Sequence, residues 1–259
     1  MRLRFLGTGT SFGVPVVGCR CRVCHSEDPR NRRTRHAVTL ERDGRTLLVD
    51  TPPELRLQLL REGVEEVEAA FVTHLHADHV NGIDDLRIFS LRRKGRFPVY
   101  VAREYADDLY ARFRYMFDVS LQAPDGVSKP ELDLRTFEAG ASLEAAGFDL
   151  LPLAFPHGPA RAYGFRAGGL GFVVDAKAVP AEAAAALAGV EVLVLNALWY
   201  GRPHPTHLNV EEALQVAREI GPRRTYLTHL THRLDYEELR SKLPDGVEPA
   251  YDGLVVEVP

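Results

Sequence analysis

Four side chains able to bind a metal ion fall within six consecutive residues, His74-Leu75-His76-Ala77-Asp78-His79. They follow directly on residues 69–73, an apolar and β-branched stretch that predicts a buried strand. Three imidazoles and a carboxylate leaving one strand end crowd lone pairs and negative charge into a small volume. A divalent cation makes that crowding favourable, and neutral imidazole with carboxylate suits zinc, manganese or iron. A surface loop merely rich in histidine is the alternative, but the chain has only ten histidines in 259 residues.

A second cluster, Cys19-Arg20-Cys21-Arg22-Val23-Cys24, uses all three cysteines. The chain opens on a strand-like run without a signal peptide's apolar core, and no stretch approaches about 18 consecutive apolar residues. A cytoplasmic protein with no membrane partner is therefore expected, and there closely spaced cysteines seldom form disulfides. Three thiolates need a fourth ligand to close a tetrahedral site, and three cysteines with one histidine is a common structural zinc set. His232, in Thr228-His229-Leu230-Thr231-His232, is the expected fourth ligand. Three ordinary reduced thiols are the plainer alternative. A redox pair is weaker still, because no thioredoxin-like helix start follows.

The histidine motif resembles that of the metallo-β-lactamase superfamily, whose members bind two metals and draw the remaining ligands from scattered downstream residues. Here His157 in Ala154-Phe155-Pro156-His157-Gly158, Asp175 after Gly171-Phe172-Val173-Val174, and His229 after Thr225-Tyr226-Leu227-Thr228 stand in the expected order, each after a predicted strand. The resemblance implies that His74, His76 and His157 hold one metal, that Asp78, His79 and His229 hold the other, and that Asp175 bridges them. A Cys-x-Cys-x-x-Cys joined to a late His-x-x-His looks like the PhnP-type branch, whose namesake is a cyclic phosphodiesterase acting on 5-phosphoribosyl 1,2-cyclic phosphate. The likeness extends to Gly7-Thr8-Gly9-Thr10-Ser11, Asp28-Pro29-Arg30-Asn31-Arg32-Arg33, Gly82-Ile83-Asp84-Asp85-Leu86-Arg87 and Tyr251-Asp252-Gly253-Leu254. It implies a fold and a metal site. It does not imply a substrate.

Other residues can support such a centre. Asp50, ending the predicted strand 46–49, is expected to accept the spare N–H of a ligand histidine; a turn aspartate before Thr51-Pro52-Pro53 is the alternative. His207 lies in His204-Pro205-Thr206-His207-Leu208-Asn209-Val210, just before a predicted helix. The family usually keeps a histidine here, to contact the scissile phosphate or protonate the leaving alkoxide, and an imidazole with a pKa near about 6.5 can do either. Asp78 and His207 are thus the expected catalytic residues. Trp199 and Tyr200 are an aromatic wall or ordinary packing. Arg30, Arg32, Arg33 and Arg35 form a cationic run that either meets substrate phosphate or RNA or is simply a solvated face. His25, His36 and His204 are given no role.

These residues need a scaffold. A chain 45% hydrophobic can bury a large core, and a single domain over residues 1–259 is expected. Strands are predicted at 2–6, 37–41, 46–49, 69–73, 98–102, 148–153, 162–167, 170–174, 191–196, 223–228 and 253–258. Helices are predicted at 54–61, 84–93, 104–117, 180–187, 209–220 and 235–242, the last with Asp235 as N-cap. That pattern alone says mixed α and β. The resemblance implies an α+β fold, a four-layer αββα sandwich.

A net charge of −4 gives no overall attraction to nucleic acid or membrane. The leading expectation is a phosphodiesterase with two divalent ions, Mn²⁺ or Zn²⁺, acting on a small or cyclic phosphodiester through metal-activated hydroxide, with one structural Zn²⁺. Alternatives are a thioesterase of the glyoxalase II kind or a lactone hydrolase, a transfer-RNA 3′-processing nuclease, and a non-catalytic zinc-binding protein. A small phosphorylated substrate is the expected partner and RNA a less favoured one. Residues 83–135, read as helix-rich, offer a surface for a homodimer.

Overall fold

The computed structural model describes every residue except Lys94. In chain order the strands are β1 (Arg2–Gly7), β2 (Ala37–Arg42), β3 (Arg45–Val49), β4 (Ala69–Phe71), β5 (Phe97–Ala102), β6 (Leu132–Phe137), β7 (Leu143–Ala145), β8 (Phe148–His157), β9 (Ala160–Ala167), β10 (Leu170–Val173), β11 (Val192–Asn196), β12 (Arg224–Thr228), β13 (Val247–Pro249) and β14 (Val255–Glu257). The helices are α1 (Leu55–Glu62), α2 (Ala77–Val80), α3 (Arg87–Arg92), α4 (Ala106–Arg112), α5 (Arg114–Phe117), α6 (Ala181–Leu187), α7 (Val210–Ile220) and α8 (Tyr236–Lys242). One sheet runs β14-β1-β2-β3-β4-β5-β6, the other β13-β12-β11-β10-β9-β8-β7. Each joins an antiparallel part to a parallel run, β3 to β6 in the first and β10 to β13 in the second.

Period-two alternation divides each central strand between two cores. In β11, Val192 and Val194 face the other sheet, whereas Leu193 and Leu195 face outward beneath α6 and α7. In β3, Leu47 and Val49 point inward while Leu48 meets Leu55 and Leu59 of α1. Strands covered on both faces therefore read as continuous apolar runs. Phe71 from the first sheet meets Phe165 of the second edge-on at 5.4 Å, and Phe165 stacks on Phe172 at 5.1 Å. The result is the expected four-layer αββα sandwich.

Helix ends follow local chemistry. Asn209 and Glu212 form a reciprocal capping box at the start of α7, and Gly221, at φ 70°, ends it. Asp235 caps α8 as expected, accepting from the Glu238 N–H.

Several elements differ from the sequence expectation. Strand β6 (Leu132–Phe137), whose first four residues end the stretch 83–135 read as helix-rich, lies on the sheet edge, where half-exposed polar positions obscure the apolar alternation. The helix expected at 104–117 is a 3-10 turn, Arg103–Tyr105, followed by α4 and α5, with the break at Phe113. Strand β8 continues to His157, past Pro152 and Pro156. Its partner β7 ends early and leaves that stretch of β8 on the sheet edge, where missing N–H donors are tolerated. The three-residue strands β7 and β13 are too short to announce themselves.

Phe165 is fully buried between the sheets. Phe165→Ala is expected to lower unfolding free energy by about 3–5 kcal/mol. Urea denaturation of the purified variant measures this, and a loss below about 1 kcal/mol would mean that the inter-sheet contact is not a stability determinant.

Candidate metal centre

The carboxyl ends of β3, β4, β8, β10 and β12 meet at one edge of the sandwich, the place where open α/β sheets hold ligands. Asp50 follows β3, residues 73–79 follow β4, His157 ends β8, Asp175 follows β10 and His229 follows β12. Asp50 (φ 65°), Asp175 (φ 53°) and His229 (φ 57°) are three of only five non-glycine residues with positive φ among those described. The left-handed region is sparsely populated by residues with a Cβ, and strain of this kind collects at functional sites. Here it turns the chain sharply at a strand end and aims each side chain back over the sheet edge. Gly82 shows how tightly the motif loop is packed, because a Cβ there would lie 1.9 Å from the Pro52 carbonyl oxygen.

His74, His76, His157 and Asp175 present donor atoms within 4.8 Å of one another, and so do Asp78, His79 and His229. His74 Nε2 and His157 Nε2 lie 3.0 and 3.1 Å from His76 Nδ1. Asp175 stands between the groups, with Oδ2 3.5 Å from His74 Nε2 and 3.4 Å from His79 Nε2, and Oδ1 3.1 Å from His229 Nε2. All seven expected ligand residues are thus brought together.

The outward hydrogen bonds decide where the ring protons sit. Asp50 Oδ1 accepts from the Thr73 N–H at 2.8 Å, and Oδ2 accepts from Thr73 Oγ1 at 2.9 Å and from His79 Nδ1 at 2.6 Å. Because Thr73 Oγ1 donates its proton to Asp50, His74 Nδ1, 3.0 Å away, must donate to that hydroxyl. His157 Nδ1 donates to the Thr206 carbonyl at 3.1 Å. The inward nitrogens of His74 and His157 are consequently lone pairs, and that of His79 becomes one when a cation displaces its second proton. Buried His79 Nε2, Asp175 Oδ1, His207 Nε2 and both ring nitrogens of His229 have no hydrogen-bond partner. Orphaned polar atoms that converge in this way are costly in a folded protein unless a ligand satisfies them, and the donor set fits divalent metal.

Electrostatics agree. Burial drives His74 and His229 well below the usual imidazole range. Burial also works against charge on His79, yet the carboxylates of Asp50 and Asp175 outweigh it and hold that ring well above its usual range. Opposed pulls on adjacent imidazoles are characteristic of functional sites.

The structure also shows contributors that the sequence reading passed over. His204 Nδ1 lies 3.1 Å from Thr206 Oγ1 and 3.3 Å from His207 Nδ1, so it helps set the ring of His207, whose Nε2 is 3.4 Å from Asp175 Oδ2. His36 is fully buried beside His79, His229 and Phe172. Its place before β2 gave no chemical signal, since only the fold brings it there. His25 is exposed.

The cysteine cluster is also assembled. His232 Nδ1 lies 3.3, 3.5 and 3.7 Å from the sulfurs of Cys19, Cys21 and Cys24. The Cys24 N–H donates to Cys21 Sγ and, as the largest effect, draws the Cys21 thiol down to about 6, whereas burial pushes Cys24 up to about 11. The basic run is largely committed to structure. Arg30 pairs with Asp28 and Glu237, Arg35 with Glu54, and buried Arg33 donates to the Thr231 carbonyl. A cavity of about 340 Å³ opens beside His207 and His229 and reaches His232.

A family model described as a beta-lactamase superfamily domain matches residues 45–230. The crystal structure of a diphosphatase from the PhnP family superposes with a TM-score of 0.90 at 36% identity, covering 99% of this chain and 97% of that one. An octanoyltransferase of Porphyromonas gingivalis is 35% identical over 256 residues, which is 98% of this chain and 51% of that protein. A ribonuclease Z of Anoxybacillus flavithermus is 30% identical over 168 residues, 64% of this chain and 47% of that protein. The chain spans about half the length of the curated relatives it matches. No helix among the described residues is long and apolar enough to cross a membrane.

Burial pushes His36 down to about 3, whereas in the unfolded chain it titrates near about 6.5. Below that value the unfolded state takes up a proton that the folded state refuses, so this contribution to stability is complete above about 6.5 and declines as pH falls. In metal-free protein, His36→Phe should flatten the loss of stability between about pH 6 and 4 by about 1.4 kcal/mol per pH unit. Urea titrations across that range measure it; parallel curves for the two proteins would contradict it.

Proposed function

The chain belongs to the beta-lactamase superfamily, in its PhnP-like branch, and we propose that it is a phosphodiesterase with a two-cation centre acting on a small or cyclic phosphodiester. A metal-dependent hydrolase of the phosphoesterase kind follows from the fold and its likeness to the PhnP-family diphosphatase. The observation that carries the finer reading is the convergence of seven donor side chains with their outer hydrogen bonds already made.

In this reading His74, His76 and His157 hold one ion, Asp78, His79 and His229 the other, and Asp175 reaches both. Two such ions, Mn²⁺ or Zn²⁺, supply a lowered pKa for water and neutralise charge building on phosphoryl oxygens. The protein does the rest. Asp50 holds His79 directly and His74 through Thr73, fixing both rings in the tautomer that leaves Nε2 free. His207, tied through Nδ1 to Thr206 Oγ1 at 2.7 Å, turns Nε2 toward the centre and donates a proton to the leaving oxygen. Cys19, Cys21, Cys24 and His232 hold a structural zinc that anchors the turn carrying His229.

Several observations favour a small substrate over RNA. The cavity is about 340 Å³, net charge is −4, and all four arginines in the basic run donate to internal partners.

With Mn²⁺ or Zn²⁺ the protein should turn over bis-p-nitrophenyl phosphate and cyclic nucleotides, and Asp78→Ala should reduce this at least about 100-fold. Wild-type turnover no higher than the variant's on every phosphodiester, together with hydrolysis of S-lactoylglutathione, would put the thioesterase reading in its place. His207→Gln should lower kcat about 10²–10⁴-fold for alkoxide leaving groups and less than about tenfold for p-nitrophenolate, which needs no proton. Equal losses on the two leaving groups would remove His207 as proton donor. Metal analysis should show one zinc equivalent lost in Cys21→Ser with the other two ions retained. One equivalent in wild type, surviving mutation of His74, would instead mark a non-catalytic zinc protein.

A further inference from the structure

We propose that the cavity between the histidine cluster and the cysteine cluster is a nucleotide subsite, in which Phe12 stacks on a base and Arg233 binds an anionic group outside the scissile bond. This rests on the phosphodiesterase reading and names its substrate class. His207 and His229 form one wall of the cavity, and Phe12, Trp199, His204 and Arg233 form the other parts that matter here. Anything seated beside Phe12 and Arg233 is therefore continuous with the reacting centre.

Arg233 is oriented yet not neutralised. Its guanidinium lies over the Trp199 ring, 4.7 Å from the centroid. Trp199 is itself fixed, because Nε1 donates to the Arg202 carbonyl at 2.7 Å and the His204 ring packs against it at 5.3 Å. The guanidinium has neither an ion pair nor a side-chain hydrogen bond among the described residues, whereas neighbouring Arg22 and Arg30 are both paired with acids. A planar fork of donors held against an indole, with its donor edge unspent, suits phosphate or carboxylate.

Phe12 is 72% exposed, an unusual place for a phenyl ring, and it stands on a loop that is held firmly. The Gly13 N–H donates to the Thr10 carbonyl, Arg35 Nε donates to the Ser11 carbonyl, and Val14 and Arg33 exchange backbone hydrogen bonds. Two arginines of the basic run thus act by bracing this loop. A rigid, exposed aromatic face beside a cation is the arrangement that binds nucleobases, because every base offers a π-face. The volume lies at the lower end of the about 300–1,000 Å³ typical of ligand pockets, enough for a mononucleotide and not for a duplex. Arg233 directly follows His232, so the cysteine cluster sets the position of this subsite as well as that of His229.

Isothermal titration of the full, metal-loaded protein with adenosine 3′,5′-bisphosphate, adenosine 5′-monophosphate and inorganic phosphate tests the proposal. Arg233→Gln should weaken the bisphosphate about tenfold and the monophosphate less than about threefold. Phe12→Ala should weaken both nucleotides about tenfold and leave inorganic phosphate unchanged. Unaltered metal content and unaltered inorganic phosphate affinity show that each variant is folded. Equal effects of Arg233→Gln on all three ligands, or none on any, would overturn the assignment, as would full nucleotide affinity in Phe12→Ala. Turnover of bis-p-nitrophenyl phosphate by the wild-type protein is measured alongside. Its absence in wild type would count against the phosphodiesterase reading alone, while the titrations still decide the subsite.

Discussion

A buried carboxylate, Asp50, sets the conditions under which the candidate centre can exist. It is fully buried, and its three hydrogen bonds all come from the motif that follows β4, two from Thr73 and one from His79. Through these bonds two imidazoles are fixed in position before any ligand arrives. Burial raises the affinity of Asp50 for a proton, against the pull of His79 and the Thr73 donors, so the carboxylate depends on keeping all of those partners. Outer hydrogen bonds of this type commonly govern metal affinity by about 10–100-fold. The lone pairs that converge beyond them follow from this arrangement.

The second half of the chain reaches the same edge by a different route. Residues 228–233 carry His229 toward the centre and His232 toward the cysteines, and the turn between them is tied down on several sides. The Leu230 N–H donates to the Thr8 carbonyl, Thr231 Oγ1 donates to the Leu198 carbonyl, and Arg33 donates to the Thr231 carbonyl. Asp252 completes the tie between the chain's beginning and end, accepting from the backbone N–H and hydroxyl of both Thr8 and Thr34 at 2.6–2.8 Å. The short motifs near residues 7–11 and 251–254 therefore serve to register the first sheet against this turn. The cysteine cluster sits where those segments meet, and its geometry suits a clamp.

Much of this was legible in the sequence because the chemistry is local there. The spacing of His74, His76, Asp78 and His79, the triplet of cysteines and the strand-end positions of His157, Asp175 and His229 can all be read along the chain. Asp50 was legible as a strand-end carboxylate, though not as the partner of Thr73. What escaped was set by tertiary contact. His36 is an unremarkable histidine until the sheets close over it, and the arginines at 30–35 look like a charged face until Asp28, Glu54, Glu237 and the Thr231 carbonyl claim them. Edge strand β6 was lost because half-exposed residues blur periodicity, and the end of β8 because proline ordinarily argues against a strand.

The central claim is that seven side chains jointly hold a pair of cations. Anomalous diffraction from crystals of the manganese-reconstituted protein, collected on either side of the manganese absorption edge, addresses it directly. The account predicts two peaks inside the histidine cluster, each within about 2.0–2.3 Å of its ligand atoms and about 3.5–4 Å apart, with Asp175 touching both. One peak, or two peaks that leave Asp175 unligated, would contradict it.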